Sequence, residues 1–432
     1  MSAYLLCLSI NGGIPLFTRK NGDLKSIPFP LLASLNGVAM FGQSHDVTLL
    51  STMTRECRLL WRDYHNSVRL IVVVPLDSVS DFHIHRLLDN IFQCLVLLVG
   101  LDDLIALRNI DRVKRELRAS FGLIDCLLNG LQPSEKTPLF SDLVGAVDVL
   151  VCGEAGTITN YLENFTESVD STYGCVLAGG RLVAATSNWW SLHPDELCLL
   201  SLYIWTEQRS TLSDTPVFLP VKSPTVPFRL VVYELQAGVQ VCVLCGPQPS
   251  LADLERMIVK HWRSCSPILS SLHSLLPRCL PPSLVIDRSI LGFVLVNTDR
   301  KRVLACMAPH HGTAAHQQKD SRSLSLARKL DITRTFYRTV VGAVLPSCAT
   351  PSPHVLEVGG TLLPDHSPHI KCKHPVSEVF SCSEYHKCLV IQSGQYQLFS
   401  VFISAVPNHS MRAISHRTLQ SLIKEKHNNI VK

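Results

Sequence analysis

The chain has 432 residues with 40 Lys and Arg against 35 Asp and Glu, so 17% are charged and the net charge is +5. That charged share is well below the soluble average of about 25%, yet an apolar share of 46% is too high for a disordered chain, and +5 is too mild a balance to imply nucleic acid. The longest uncharged apolar run, Ile91 to Leu101, is 11 residues and contains Gln93, about half of what a membrane-spanning helix needs.

The N-terminal apolar run has no basic residue before it, which argues against a signal peptide. The 16 cysteines stand singly in apolar runs, as at Cys7, Cys94, Cys126, Cys175, Cys242 and Cys306. That is the usage of reduced thiols acting as small hydrophobes.

At about 100–200 residues per domain, the length allows two to four domains. A repeat narrows the number to three. Residues 4–19 (YLLCLSINGGIPLFTR) read as strand, Gly-Gly turn, strand. Residues 173–186 repeat the layout around Gly179-Gly180, and residues 289–306 repeat it around Asn-Thr-Asp-Arg. Glycine and Asn or Asp suit such turns because their central residues take positive φ.

After the first hairpin the pattern predicts a helix from Phe29 to Phe41, then strands at Val47 to Met53, Arg58 to Tyr64 and Val68 to Val74. Ser80 is placed to cap a helix with Asp81 in its first turn. Ile84, Leu87, Leu88, Ile91, Leu95 and Leu98 give it a 3.6-residue stripe, and Gly100 ends it. Ile110, Val113, Leu117, Phe121, Ile124 and Leu128 predict one further helix.

The second unit repeats this with a helix from Leu192 to Thr206, strands at Pro216 to Leu219, Arg229 to Leu235 and Val239 to Cys245, a helix capped by Ser250, and a last helix from Ile268 to Leu276. The third has a basic helix over Leu324 to Leu345, a hairpin of Cys388 to Ile391 with Tyr396 to Val406, and a terminal helix over Met411 to Lys424. Linkers are expected at Asn129 to Pro138, Pro277 to Pro282 and the Pro/His-rich stretch Pro346 to Pro375. The expected fold is α/β, an α+β sandwich repeated three times, over residues 1–135, 140–280 and 283–432. Each unit is a five-stranded, mainly antiparallel sheet flanked by helices.

No nucleotide or nucleophile motif of the GxGxxG, Walker A or GxSxG kind is present. No catalytic residue, cofactor or metal is therefore expected. Cys242-Val-Leu-Cys245 lies in a predicted strand, where positions i and i+3 face opposite sides, and reads as buried. Among His366, His369, Cys372, His374, Cys382, His386 and Cys388, the pairs His369-x2-Cys372 and His386-x-Cys388 could supply the two short-spaced pairs of a zinc site, but the seven follow no regular register and read as a polar loop. His83 and His85, near a helix start and beside Arg86, read as solvated.

Two surfaces stand out. Leu35, Asn36, Val38, Met40 and Phe41 make the first helix apolar on more than one face around Gly37, which costs a helix about 1 kcal/mol relative to Ala. They are candidates for binding a partner. Arg108, Arg112, Lys114, Arg115 and Arg118, with only Asp111 and Glu116 opposing, are candidates for contact with an acidic partner or anionic lipid.

The segments SLNGVAMFGQ (34–43), LLVGL (97–101), RNIDRVKRELRAS (108–120), LID (123–125), VAATSNWW (183–190), PVFLP (216–220), SPTVPFRL (223–230) and LCGPQP (244–249) resemble the Fuzzy homologues, a tri-longin family of planar cell polarity effectors. The resemblance covers the first two units well and the third less well. It implies three longin domains and a heterodimer with Inturned, alongside the WD-repeat protein Wdpcp. It further implies engagement of a Rab-class small GTPase and recruitment of intraflagellar transport proteins, in the cytoplasm at the ciliary basal body. An exchange role would be shared with the partner and needs no acid, base or nucleophile from this chain.

Overall fold

Alternating side chains make β1 (Ala3–Ser9) a central strand. Leu5 and Cys7 point into the main apolar core, while Tyr4, Leu6 and Leu8 point into a smaller one on the opposite face. The structure, a computed structural model, describes residues 2–22, 27–76, 79–131, 139–207, 210–276, 278–310, 324–345, 376–425 and 429–431. β1 turns through Gly12 and Gly13, at φ 87° and 61°, into β2 (Pro15–Asn21). The unit continues with α1 (Phe29–Ser44), β3 (Ser51–Met53), β4 (Cys57–Tyr64), β5 (Val68–Pro75), α2 (Asp81–Val99), α3 (Leu101–Ala106), α4 (Ile110–Glu116) and α5 (Phe121–Asn129). Its sheet is antiparallel throughout, in the order β2-β1-β5-β4-β3.

The helix expected from Ile110 to Leu128 is in fact α4, a 3-10 turn at Leu117–Ser120, and α5. Within that turn Ser120 Oγ donates to Leu117 O at 2.6 Å, a local bond of the kind that competes with regular α-helical pairing. The predicted start of α2 holds at Ser80, but the hydroxyl makes no capping bond.

Three elements precede the second hairpin: α6 (Ser141–Val144), β6 (Val147–Asp148) and α7 (Ala155–Ser168). The second unit then runs β7 (Tyr173–Ala178), β8 (Arg181–Ala185), α8 (Ser187–Trp190), α9 (Pro194–Thr206), β9 (Leu212–Leu219), β10 (Ser223–Gln236), β11 (Val239–Cys245), α10 (Leu251–Trp262) and α11 (Ser266–Leu275). Its order is β8-β7-β11-β10-β9. The third unit has β12 (Ile290–Asn297), β13 (Arg302–Cys306), α12 (Leu326–Ala343), β14 (Glu378–Cys382), β15 (His386–Ser393), β16 (Tyr396–Ile403) and α13 (Asn408–Lys424). The fold class is α/β, with three sheets of one plan.

The third sheet gains a sixth strand, β6, which runs parallel to β13 with Val147 opposite Arg302 and Asp148 opposite Val303. Phe140, Leu143, Val144 and Ala146, around α6, join the third unit's core beside Phe336 and Phe399. Residues 140–148, which the sequence reading counts with the second unit, thus complete the third. Asp148 is fully buried and accepts from Phe140 N and Ser141 N, both at 2.8 Å.

The units share cores. α2 is long and apolar enough, by length and composition, to cross a membrane, but its apolar residues are used between the first sheet and β9. Gly100, at φ 89° and ψ 152°, ends α2 directly beneath Phe218 of β9. A Cβ there would stand 2.8 Å from the ring. Gly100→Ala therefore meets both a backbone region that is essentially glycine-only and an overpacked contact. The expected loss is about 2–4 kcal/mol, checked by urea unfolding.

His83 corrects the sequence reading. It is not solvated but 5% exposed, wedged between α2 and α12 with Nε2 3.3 Å from Arg338 O. Burial, aided by the charges of Arg86 and Arg338, pushes its pKa down to about 4. The folded state holds the imidazole neutral, so its contribution is full above the unfolded value near 6.5 and is lost as pH falls toward 4. Between pH 7 and pH 5 this costs about 2 kcal/mol. Urea titrations at both pH values should show that difference in the parent chain and a smaller one in His83→Gln.

Candidate partner-binding surface

α1 buries one stripe, Leu32, Leu35, Asn36 and Ala39, at the i, i+3, i+4, i+7 spacing of a helix face. The apolar members pack on Tyr4, Leu6, Leu59, Trp61 and Ile71, and Trp61 Nε1 donates to Leu35 O at 3.4 Å. Leu35 is half-buried, so only its edge belongs to the surface. Asn36 is 6% exposed and belongs to the interior. Its Oδ1 accepts from Arg69 Nη1 at 3.1 Å, and Arg69 in turn forks onto Asp63 at 2.6 and 2.7 Å. A Cβ at Gly13 would collide with Asn36 Nδ2. Asn36 thus fixes α1 to β4, β5 and the first hairpin turn, and does not itself face a partner.

The rest of the α1 surface is the unusual part. Leu31, Val38, Met40 and Phe41 are exposed, Phe41 to 68%. Val47, Leu50 and Met53, on the segment leading into β3, are exposed beside them in sequence. The sequence reading placed Val47 to Met53 in a strand and assigned it no surface role. The density of apolar residues outside any helical stripe was the available signal. Gly37 has nothing within 4 Å of where a Cβ would stand, so no packing among the described residues requires glycine. β3 is also an edge strand of its sheet.

The repeat supplies an internal comparison. α9 holds α1's place in the second unit, and most of its residues, from Glu196 to Ile204, are buried against α5, α6 and β6. α12 holds that place in the third unit and is covered by α2 and, through Arg334, by α6. Among the three equivalent helices, the outer face of α1 lacks a cover from this chain's described residues.

The basic candidates do not form one helix face. Arg108 precedes α4, whose N-cap is Asn109, with Oδ1 accepting from Arg112 N at 3.0 Å. Arg112 is drawn to Glu116 at 2.8 Å and Asp103 at 3.7 Å. Lys114 is half-buried, while Arg108, Arg115 and Arg118 are exposed. On α13, Arg412 pairs with Glu378.

Chemistry is sparse elsewhere. Among the described residues no group of three or more His, Cys, Asp or Glu could hold a metal. His366, His369, Cys372 and His374 lie outside them. Cys382 is exposed, His386 faces the Ser383 hydroxyl at 3.0 Å, and Cys388 is buried. Cys242 and Cys245 are both buried on β11. Burial pushes the Cys245 thiol up to about 11 and the thiols of Cys7, Cys94 and Cys306 far above their usual range, so these serve as small hydrophobes rather than nucleophiles.

Residues 3–127, 169–263 and 289–426 match, in turn, the families described as the first, second and third longin domains of FUZ, MON1 and HPS1. Over 425 residues the chain is 34% identical to "Protein fuzzy homolog" of Xenopus tropicalis, covering 98% of each chain. It is 32% identical over 429 residues to the Homo sapiens protein of the same name, covering 98% of this chain and 97% of that one. Among solved structures, MglB of Myxococcus xanthus aligns at a TM-score of 0.23 and 14% identity over 29% of this chain and 96% of its own, a likeness too slight to carry an argument. With all three longin units matched in order and a third of positions identical along nearly the whole length, the chain belongs to the Fuzzy homologue family.

Proposed function

We propose that this chain is a non-catalytic subunit of a ciliogenesis and planar cell polarity complex, acting in the cytoplasm at the ciliary basal body. It pairs with Inturned through the outer face of α1 and the segment leading into β3. The pair, with Wdpcp alongside, binds or activates a Rab-class small GTPase and supports recruitment of intraflagellar transport proteins. Family membership supports the cellular role. The uncovered apolar face of α1 carries the pairing, because an apolar helix face left bare where two repeats are covered is the mark of an interface core.

Exchange is a population shift: the exchanger binds the nucleotide-free GTPase more tightly than the loaded one. It therefore asks for a surface and not for an acid or base. Nucleotide release from Rab-class GTPases, measured with this chain alone and with Inturned, tests the reading. Acceleration by the pair alone is expected, and binding of the loaded GTPase without acceleration would make the pair an effector.

Gly37 separates stability from pairing. Gly37→Ala has open space and a better helix propensity, so unfolding stability should rise by up to about 1 kcal/mol. Affinity for Inturned should fall if the partner backbone approaches α1 closely at this position. Urea unfolding and a binding titration on the same variant check both halves.

Arg108, Arg115 and Arg118 are exposed, which favours a second reading, a trafficking adaptor touching anionic lipid. Flotation with phosphatidylserine vesicles at two salt concentrations decides it, since binding that persists unchanged at high salt is not electrostatic.

A further inference from the structure

A cavity of about 20 Å³ lies where the first and third units meet around α6, lined by His83, Arg86, Leu87, Leu127, Gly130, Leu131, Asp142, Leu143 and Arg338. It admits a water-sized particle and nothing as large as a phosphate or sulfate. Its walls carry an excess of positive charge. Arg86 spends Nη1 on Val144 O at 2.8 Å, Arg338 spends Nη2 on Gly130 O, and neither meets a carboxylate there. Asp142 is the one acid in the wall, and it is already claimed by Arg334, whose Nη2 reaches Oδ2 at 2.5 Å. Two buried polar atoms of the lining residues, Arg338 Nε and His83 Nδ1, have no hydrogen-bond partner. Charge taken out of water is tolerated when it is paired, and here two half-buried guanidinium groups meet carbonyl oxygens and, for Arg86, the Phe82 ring, but no carboxylate among the described residues.

We propose that this junction binds a single monatomic anion, chloride under ordinary conditions, held by Arg338 Nε and the Arg86 guanidinium, and that the anion fastens the first unit to the third. The depression of the Arg338 pKa to about 10, caused by burial and by the neighbouring Arg334 and only partly opposed by Asp142 and Asp331, fits a cation short of direct counter-charge. The proposal is independent of the pairing reading, since none of these residues lies on α1.

The test is thermal unfolding of the full chain in sodium chloride against sodium gluconate at equal ionic strength, with sodium bromide as a third arm. Binding to the folded state alone raises stability with the logarithm of ligand concentration. A rise in Tm of about 2 °C or more between 1 and 150 mM chloride, shared by bromide and absent in gluconate, is expected. Arg338→Lys keeps the charge and removes Nε, and Arg86→Gln removes the second cation of the wall. Both should unfold at a Tm indifferent to chloride, whatever their stability in gluconate. If one of them does not fold, the other carries the same comparison. Equal Tm values for the parent chain in chloride and gluconate overturn the proposal, because a cavity holding only water shows no anion preference. A chloride effect that survives in both variants also overturns it, since it would then arise elsewhere.

Discussion

Arg334→Leu is expected to destabilise the chain by about 3–5 kcal/mol, a large share of a typical folding stability of about 5–15 kcal/mol. Arg334 lies on α12, with its side chain 4% exposed. It donates to Asp142 at 3.2 and 2.5 Å, to Leu139 O at 2.6 Å and to Gly130 O at 3.2 Å. It therefore ties the third unit to α6 and to the end of α5 in the first. Deleting it leaves the Asp142 carboxylate, 6% exposed, as a buried charge without its counterion, together with two carbonyls that lose donors. Arg334→Leu combined with Asp142→Leu removes both charges and should recover much of the loss, because exchanging a whole buried pair for apolar groups is far cheaper than breaking one. Urea unfolding of the two singles and the double checks this. A double variant as unstable as the sum of the singles would contradict it.

The second large effect is on binding. Val38→Glu and Phe41→Glu place a charge on the uncovered face of α1, where Val38 is 52% and Phe41 68% exposed. Substitution at such solvated positions should shift unfolding stability by no more than about 0.5 kcal/mol. A charge set into the apolar centre of an interface should cost 2 kcal/mol or more of association, about 30-fold in Kd. Titration against Inturned, with urea unfolding as the control, reads the contrast. Asn36→Leu is the informative counterpart. It removes the acceptor for Arg69 and loosens how α1 is seated, so it should lower stability together with affinity rather than affinity alone.

The three hairpins and the helical stripe of α2 were legible because each rests on local chemistry: a glycine or Asn/Asp turn, or apolar residues at one period. The break between α4 and α5 was not, because Leu117 keeps the apolar period through the 3-10 turn. The α1 surface was half legible. Val38, Met40 and Phe41 betray themselves as surplus apolar residues, whereas Asn36 looked like a surface residue because its partner Arg69 lies 33 positions away. Arg334 gave no sign, since Asp142 and Gly130 lie 192 and 204 positions away. The loan of β6 to the third sheet is equally non-local, resting on a two-residue parallel pairing. His83 misled because polarity near a helix start usually means solvent, while here α12 closes over it.

The low charge content with which the sequence is first met has a counterpart in this arrangement. Three units bury faces against one another, and one further apolar face stays open on α1. Interface cores are poor in charge, so a chain that meets its own repeats and a partner needs fewer charges than its length suggests.

Amide hydrogen exchange of the chain, free and bound to Inturned, tests the central claim most directly, because docking on α1 should slow exchange in the segments it covers. Added protection is expected over residues 31–53, with none over 108–118. Unchanged exchange across residues 31–53 in a complex that forms, with protection appearing on another surface, would contradict the account.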